Sequence, residues 1–180
     1  MYSSTIFLAQ DHIFGFTVAL DVTARDLMRT NGGQCLLGKS MDGFCPLGPC
    51  LVTSDEVSDP HQLRLVCKVN QETQQDSNTK QMIFDTREIV AWCSRFCTLL
   101  PGDVILTGSP PGVGCFQTPP QFLQVLLLFA YFHFDSKNKI ISERRCSWML
   151  DRKNRIYHQQ NYLKIIFKSW IILTCLSFIG

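Results

Sequence analysis

Near residue 134 the chain changes character. Residues 1–134 carry 8 Lys and Arg against 12 Asp and Glu, a net charge of −4, whereas residues 135–180 carry 9 against 3, a net charge of +6. The turn-forming Pro and Gly residues also give way, beyond Gln124, to the dense apolar run Val125 to Phe134, a basic stretch and a second apolar run, Trp170 to Ile179. With 180 residues there is room for one compact domain, alone or with an appendage, but not for two full ones. The break therefore divides the chain into a domain over 1–123 and an unrelated apolar and basic extension over 124–180. With 46% hydrophobic and 18% charged residues, global disorder is excluded.

Overall charge names no partner. A formal net charge of +2 argues for neither a nucleic-acid surface nor an anionic membrane. Both apolar runs fall short of the roughly 18 uninterrupted residues of a membrane helix, and Lys164 and Lys168 precede the last one closely. The nine cysteines are odd in number and include no CxxC pair, so zinc-site and disulfide-framework spacings are both missing, and free thiols in a reducing compartment are expected. Before its first apolar run the N-terminus has no basic segment, so neither a secretory signal nor a mitochondrial presequence is visible.

Local patterns supply the elements. Ile13 to Leu20 is apolar and β-branched around Gly15 and ends in Asp21, which reads as a buried strand delivering an acid at its end. Ala24 to Arg29 fits one helical turn, Asn31-Gly32-Gly33 breaks it, and a loop is expected down to Lys39. Cys45 to Pro60 reads as loop, short strand at Cys50 to Thr53, loop. Leu63, Leu65, Cys67 and Val69 then alternate at period two, with Asn70-Gln71 as the turn and Glu72 to Gln75 as the return strand.

Thr86 to Leu100 changes to helical period, with Ile89, Trp92, Cys93, Phe96 and Leu100 on one face and Thr86 as the N-cap. Trp92 and Phe96 are therefore expected in the core. After Pro101-Gly102-Asp103, a short strand at Val104 to Leu106 feeds the glycine-rich loop Thr107 to Gly114, a segment whose backbone can approach a ligand. The element order predicts an α+β fold that is mainly β.

One motif misleads. Gly33 to Ser40 (GQCLLGKS) matches a phosphate-binding loop letter for letter, but that loop needs a buried strand before it and a helix starting at its Lys. Polar Arg29-Thr30-Asn31 precedes it and Asp42-Gly43-Phe44-Cys45-Pro46 follows, so a nucleotide site is not expected. By residue type, Lys39 is either a snorkelling lysine or a cation poised for a carboxylate or enolate. Asp21 and Arg25 form either a plain ion pair or the metal ligand and orienting base of a site. The four histidines are far apart in sequence, and His61, in Asp59-Pro60-His61, suits a turn cap better than catalysis.

Five ordered blocks, GFTVALDVTARD (Gly15 to Asp26), LLGKSMDGFCPLGP (Leu36 to Pro49), DPHQLRLVCKVN (Asp59 to Asn70), QQDSNTKQMIF (Gln74 to Phe84) and PGDVILTGSPPGVG (Pro101 to Gly114), resemble the fumarylacetoacetate hydrolase family. The resemblance runs from about Phe14 to Leu123. It implies a mixed β-sandwich or β-roll, usually a homodimer, acting on small keto acids whose enolate chelates Mg²⁺, or Ca²⁺ or Mn²⁺ in some members. It places Asp21 on the metal, Arg25 and Lys39 as catalytic and substrate-binding groups, and the Ser109 hydroxyl, where Thr is usual, on a substrate carboxylate. The activity implied is tautomerisation of a keto acid such as oxaloacetate, or C–C hydrolysis of an acylpyruvate or β-diketone. A mitochondrial location is also implied, a cytosolic one following if the absent leader is taken at face value.

The family pattern is not complete here. Its metal site adds two glutamates of an E-x-E strand upstream of the aspartate, and no Glu occurs before Glu56. Met28 stands where Gln is usual, Gly43 replaces a usual Thr, and the loop Asn31 to Gln34 is one residue short. After Leu123 the charged, alternating strands of the family are not found. The competing expectation is thus a truncated, catalytically inactive form that at most pairs with a full-length homologue.

Overall fold

In this computed structural model residues 6, 8–48, 50–69 and 72–123 are described with their side chains, and beyond them the backbone of strands at 127–133, 135–136, 139–140, 145–150, 156–158 and 170–179. The turn at Asn70-Gln71 and residues 143–144 and 151–155 of the basic stretch ERRCSWMLDRKNR (143–155) lie outside the described residues. The organising element is β1 (Ile13–Thr23), buried along nearly its whole length. Its two faces have different tasks because strand side chains alternate. Phe16, Val18, Leu20 and Val22 enter the main core with Leu63, Leu65, Cys67, Val90 and Ala91, whereas Ala19 belongs to a second cluster with Cys45, Leu51 and Val104. Full burial of each large aliphatic side chain contributes about 1.5–3 kcal/mol, so this strand anchors the domain.

β1 pairs antiparallel with β2 (Val52–Thr53), Gly15 opposite Thr53 and Phe16 opposite Val52. A hairpin of β3 (Arg64–Val69) and β4 (Glu72–Asn78) runs antiparallel from Arg64–Asn78 to Val69–Glu72. β5 (Val104–Leu106) follows, then β6 (Leu127–His133), β7 (Asp135–Ser136), β8 (Lys139–Ile140), β9 (Arg145–Leu150), β10 (Ile156–His158) and β11 (Trp170–Ile179). Two sheets result, in the orders β2-β1-β11-β5 and β10-β9-β6-β3-β4, with β7 and β8 as a separate pair. β11 lies parallel to both β1 and β5. With short α-helices against these strands, the fold is α+β and mainly β. Among the described residues no helix is long and apolar enough to cross a membrane.

Helix α1 (Arg25–Thr30) follows β1 directly, and α2 (Cys35–Lys39) occupies the place where a loop was expected. The helix forms because Asn31-Gly32-Gly33 turns the chain back on α1, with the Gly33 N–H donating to the Met28 carbonyl at 3.0 Å. Gly38 then permits close packing: a Cβ there would lie 2.5 Å from Met28 Cγ and 2.9 Å from the Ala24 carbonyl oxygen. The Ala24 N–H donates to the Gly38 carbonyl at 2.8 Å, fixing α2 against the start of α1. Lys39 therefore closes a helix instead of opening one, and the second glycine of GQCLLGKS serves helix packing, not phosphate.

The third helix, α3 (Thr86–Cys93), is capped by Asp85 and not by Thr86. The Asp85 carboxylate accepts from the Glu88 N–H at 2.8 Å, and Glu88 accepts from the Asp85 N–H at 2.8 Å, a reciprocal capping box. The Asp59 carboxylate, not His61, caps the turn, accepting from the His61 N–H at 2.8 Å, and His61 Nε2 instead accepts from the Thr86 N–H at 3.1 Å, at the start of α3. Regular helix ends at Cys93, short of the expected Leu100. The buried stripe is Thr86, Val90 and Ala91, so Trp92 and Phe96, expected in the core, are 52% and 69% exposed. The Arg95 guanidinium instead stacks over both rings, 5.1 and 5.8 Å from their centroids.

Candidate active site

At its C-terminal end β1 turns Asp21 and Thr23 to the face opposite the main core, since residues two apart on a strand share a face. The packing of α2 on α1 then brings Lys39 across. Lys39 Nζ donates to Asp21 Oδ2 at 2.5 Å and to Thr23 Oγ1 at 2.9 Å. Asp21 is 19% and Lys39 34% exposed at the side chain, which leaves the pair reachable from solvent. Of the two readings open for Lys39, the geometry is that of a cation held by a carboxylate. An ammonium has three donors, and these partners take two.

Arg25 does not pair with Asp21. Its guanidinium carbon lies 5.5 Å from the centre of the Phe116 ring, and its buried Nε has no partner among the described residues. A guanidinium with no carboxylate partner among the described residues suits bidentate recognition of an incoming anion. Ser109 stands on the exposed loop after β5 and lines a cavity of about 290 Å³ together with Leu65, Ser77, Asn78, Ile89 and Thr107. Neither Asp21 nor Lys39 lines that cavity. The structure thus joins Asp21 to Lys39 and sets Arg25 beside the segment that follows the Ser109 loop, and because β1 and β5 both run parallel to β11, the end of β1 and the loop carrying Ser109 lie at the same end of one sheet.

Three residues at these places were not singled out in the sequence. Thr23 was legible in principle, being two residues beyond Asp21 on a strand. Cys45 carried no signal: it lies near Asp21 and Lys39, with a φ of 57°, in the left-handed region. Burial pushes its thiol pKa up, the Asp21 charge adds to that rise, and Lys39 opposes it. Phe116, which the Arg25 cation faces, is 76% exposed and reads from sequence as an ordinary loop aromatic.

A divalent cation such as Mg²⁺ takes about six oxygen ligands. Among the described residues no group of three His, Cys, Asp or Glu comes together, and the Asp21 carboxylate is engaged by the Lys39 ammonium. These residues do not by themselves fit such an ion.

A buried strand whose final acid is bridged to a lysine, on a two-sheet and mainly β scaffold, defines an α+β protein with a polar site at a strand end. Within that class the chain belongs to the fumarylacetoacetate hydrolase family, since the pattern described as Fumarylacetoacetate (FAA) hydrolase C-terminal matches residues 5–125. It is 62% identical over 117 residues to the human protein named oxaloacetate tautomerase FAHD2B, mitochondrial, covering 64% of this chain and 37% of that one. It is also similar to the solved fumarylacetoacetate hydrolase from psychrophilic Exiguobacterium antarcticum, with a TM-score of 0.68 and 43% identity over 71% of this chain and 46% of the other. A third relative is maleylpyruvate hydrolase from Sphingobium in complex with manganese (II) ion and pyruvate, with a TM-score of 0.59 and 32% identity over 71% and 43%. The chain spans 37% of the length of the human relative.

Proposed function

We propose that the site at the end of β1 binds a small keto acid and stabilises its enolate, in the manner of an oxaloacetate keto–enol tautomerase. The observation that carries this is the Lys39 ammonium fixed between Asp21 and Thr23, at 2.5 and 2.9 Å. Enolisation moves negative charge from C3 of the keto acid onto its carbonyl oxygen. A pre-positioned ammonium stabilises that charge without reorganising, and one such donor is worth about 10²–10³ in rate. Asp21 and Thr23 hold the ammonium aimed, Arg25 takes a substrate carboxylate through its fork, and the Ser109 hydroxyl takes a second one. The C3 proton passes to solvent, and a solvent proton taken up by the enolate oxygen completes the enol.

Relatives that carry tautomerase or hydrolase names support this class of substrate. The solved manganese complex gives reason to test a divalent ion, and the mitochondrial name of the human relative supports the same compartment here. The direct test follows loss of the enol absorbance of oxaloacetate with the purified chain and with Lys39→Met. A rate above the buffer control that falls by about a hundredfold in the variant supports the proposal. A second reading, an inactive form of the family fold, is favoured by the lack, among the described residues, of any group of three His, Cys, Asp or Glu side chains that could hold a metal ion. A wild-type rate equal to buffer selects it.

A further inference from the structure

β4 makes a contact that the site as described does not use. Gln75 is 1% exposed, opposite Cys67 in the β3–β4 hairpin, where an apolar residue is the ordinary occupant. Its Nε2 donates to the Pro110 carbonyl at 2.8 Å, across 35 residues of sequence. Its Oε1 is buried and has no partner among the described residues. A glutamine is thus kept inside the fold at the cost of an unmet acceptor, and what it provides in return is one bond to the loop residue directly after Ser109.

Two neighbouring contacts act on the same loop. Gly112, with a φ of 101°, packs so tightly on the Gln74 carbonyl that a Cβ there would collide with its oxygen. Gln117 Nε2 donates to Gln74 Oε1 at 2.9 Å and to the Gly112 carbonyl at 3.2 Å. Together these contacts fix residues 110–117 to β4 at three points, and of the three only the Gln75 amide is adjacent to Ser109.

We propose that Gln75 is a positioning residue for substrate binding: by holding the Pro110 carbonyl it sets the Ser109 hydroxyl for the substrate carboxylate. The inference rests on the reading of Ser109 as a carboxylate ligand. It has a distinctive consequence, because Gln75→Leu removes the unmet acceptor together with the tether. The variant is expected to be as heat-stable as the wild type or more so, and yet to bind substrate more weakly. A glutamine that served only the fold would do the opposite. Since a carboxylate contact made equally in ground and transition states affects KM alone, kcat is expected to change little.

The experiment measures kcat, KM and Tm with oxaloacetate for the full chain and for Gln75→Leu, Gln75→Met, Ser109→Ala and the Gln75→Leu/Ser109→Ala pair. The expected result is a rise in KM on the order of tenfold for each single variant, with no further rise in the pair and no fall in Tm for Gln75→Leu. An active wild type with unchanged KM in both Gln75 variants overturns the positioning role alone, as does a rise in KM that multiplies in the pair. Failure of both Gln75 variants to fold also overturns it, making the residue structural. A wild type with no turnover overturns the reading of the site, and this inference with it.

Discussion

Thr23 and Lys39 meet through a hydrogen bond of 2.9 Å between a hydroxyl that is wholly buried and an ammonium that is partly exposed. Without the threonine, the lysine would have, among the described residues, the Asp21 carboxylate alone to orient it. In Thr23→Val the packing volume stays and the hydroxyl goes, so a stability loss of about 1 kcal/mol is expected. Because both residues act in one cluster, the Thr23→Val and Lys39→Met effects should not add. Urea melts of the double-mutant cycle are expected to give a coupling of at least about 0.5 kcal/mol. Strictly additive losses would mean that the bond contributes nothing in solution.

Cys45 reports on the same cluster without any need for turnover. Burial raises its pKa first and the Asp21 charge second, while Lys39 lowers it. At neutral pH its thiol should therefore react with iodoacetamide far more slowly than the exposed Cys35 and Cys97. Asp21→Asn is expected to speed its alkylation, and Lys39→Met to slow it further. Opposite or equal effects, read by peptide mass spectrometry, would place the thiol away from the pair.

Asp85 ties helix α3 to acid pH. Burial pushes its pKa up, but the Arg87 guanidinium and the Glu88 N–H outweigh burial and hold the carboxyl below its ordinary 3.8. Folding thus releases protons at this group, so its contribution is complete above 3.8 and is lost as pH falls through the lower, folded value. In urea melts, wild type should exceed Asp85→Ala by about 1 kcal/mol at pH 7. That difference should shrink in strong acid. A difference that is constant from neutral to strong acid would show that the charge of the cap is irrelevant.

The sequence made the scaffold legible where period and punctuation coincided. β1, the β3–β4 hairpin and β5 were readable because alternation or apolar runs ended at unmistakable turns, and Asp21 stood out as an acid closing a buried strand. Helix α2 was not readable, since its formation depends on Gly38 packing against Met28 in another helix. The stripe of α3 was misassigned for a related reason. A 3.6-residue period admits more than one face, and the one that is buried, with Val90 and Ala91, was selected by β1 and β3. Within the site, the pairing of Asp21 with Lys39 in place of Arg25 follows from where α2 lands, which no spacing along the chain encodes. Gln75 gave no signal at all, because a glutamine in a polar strand is unexceptional until its burial is known.

Metal addition distinguishes a complete ion site from a lone carboxylate. With Asp21 engaged by Lys39 and no cluster of three ligands among the described residues, Mn²⁺ at about 0.1 mM is expected to leave Tm unchanged and its free-ion EPR signal undiminished. Loss of that signal with a stoichiometric end point, abolished by Asp21→Asn, would establish an ion site that these residues do not explain.

The central claim is that Lys39 is the fixed cation of a keto-acid site. It is tested most directly by thermal melts of the purified chain with oxalate, a mimic of the enolate, in wild type and Lys39→Met. A ligand at about a hundred times its Kd stabilises a folded protein that binds it by roughly 2.7 kcal/mol. An upward shift of several degrees is expected in wild type and none in Lys39→Met. A wild-type melt that ignores oxalate, or an equal shift in both proteins, would contradict it.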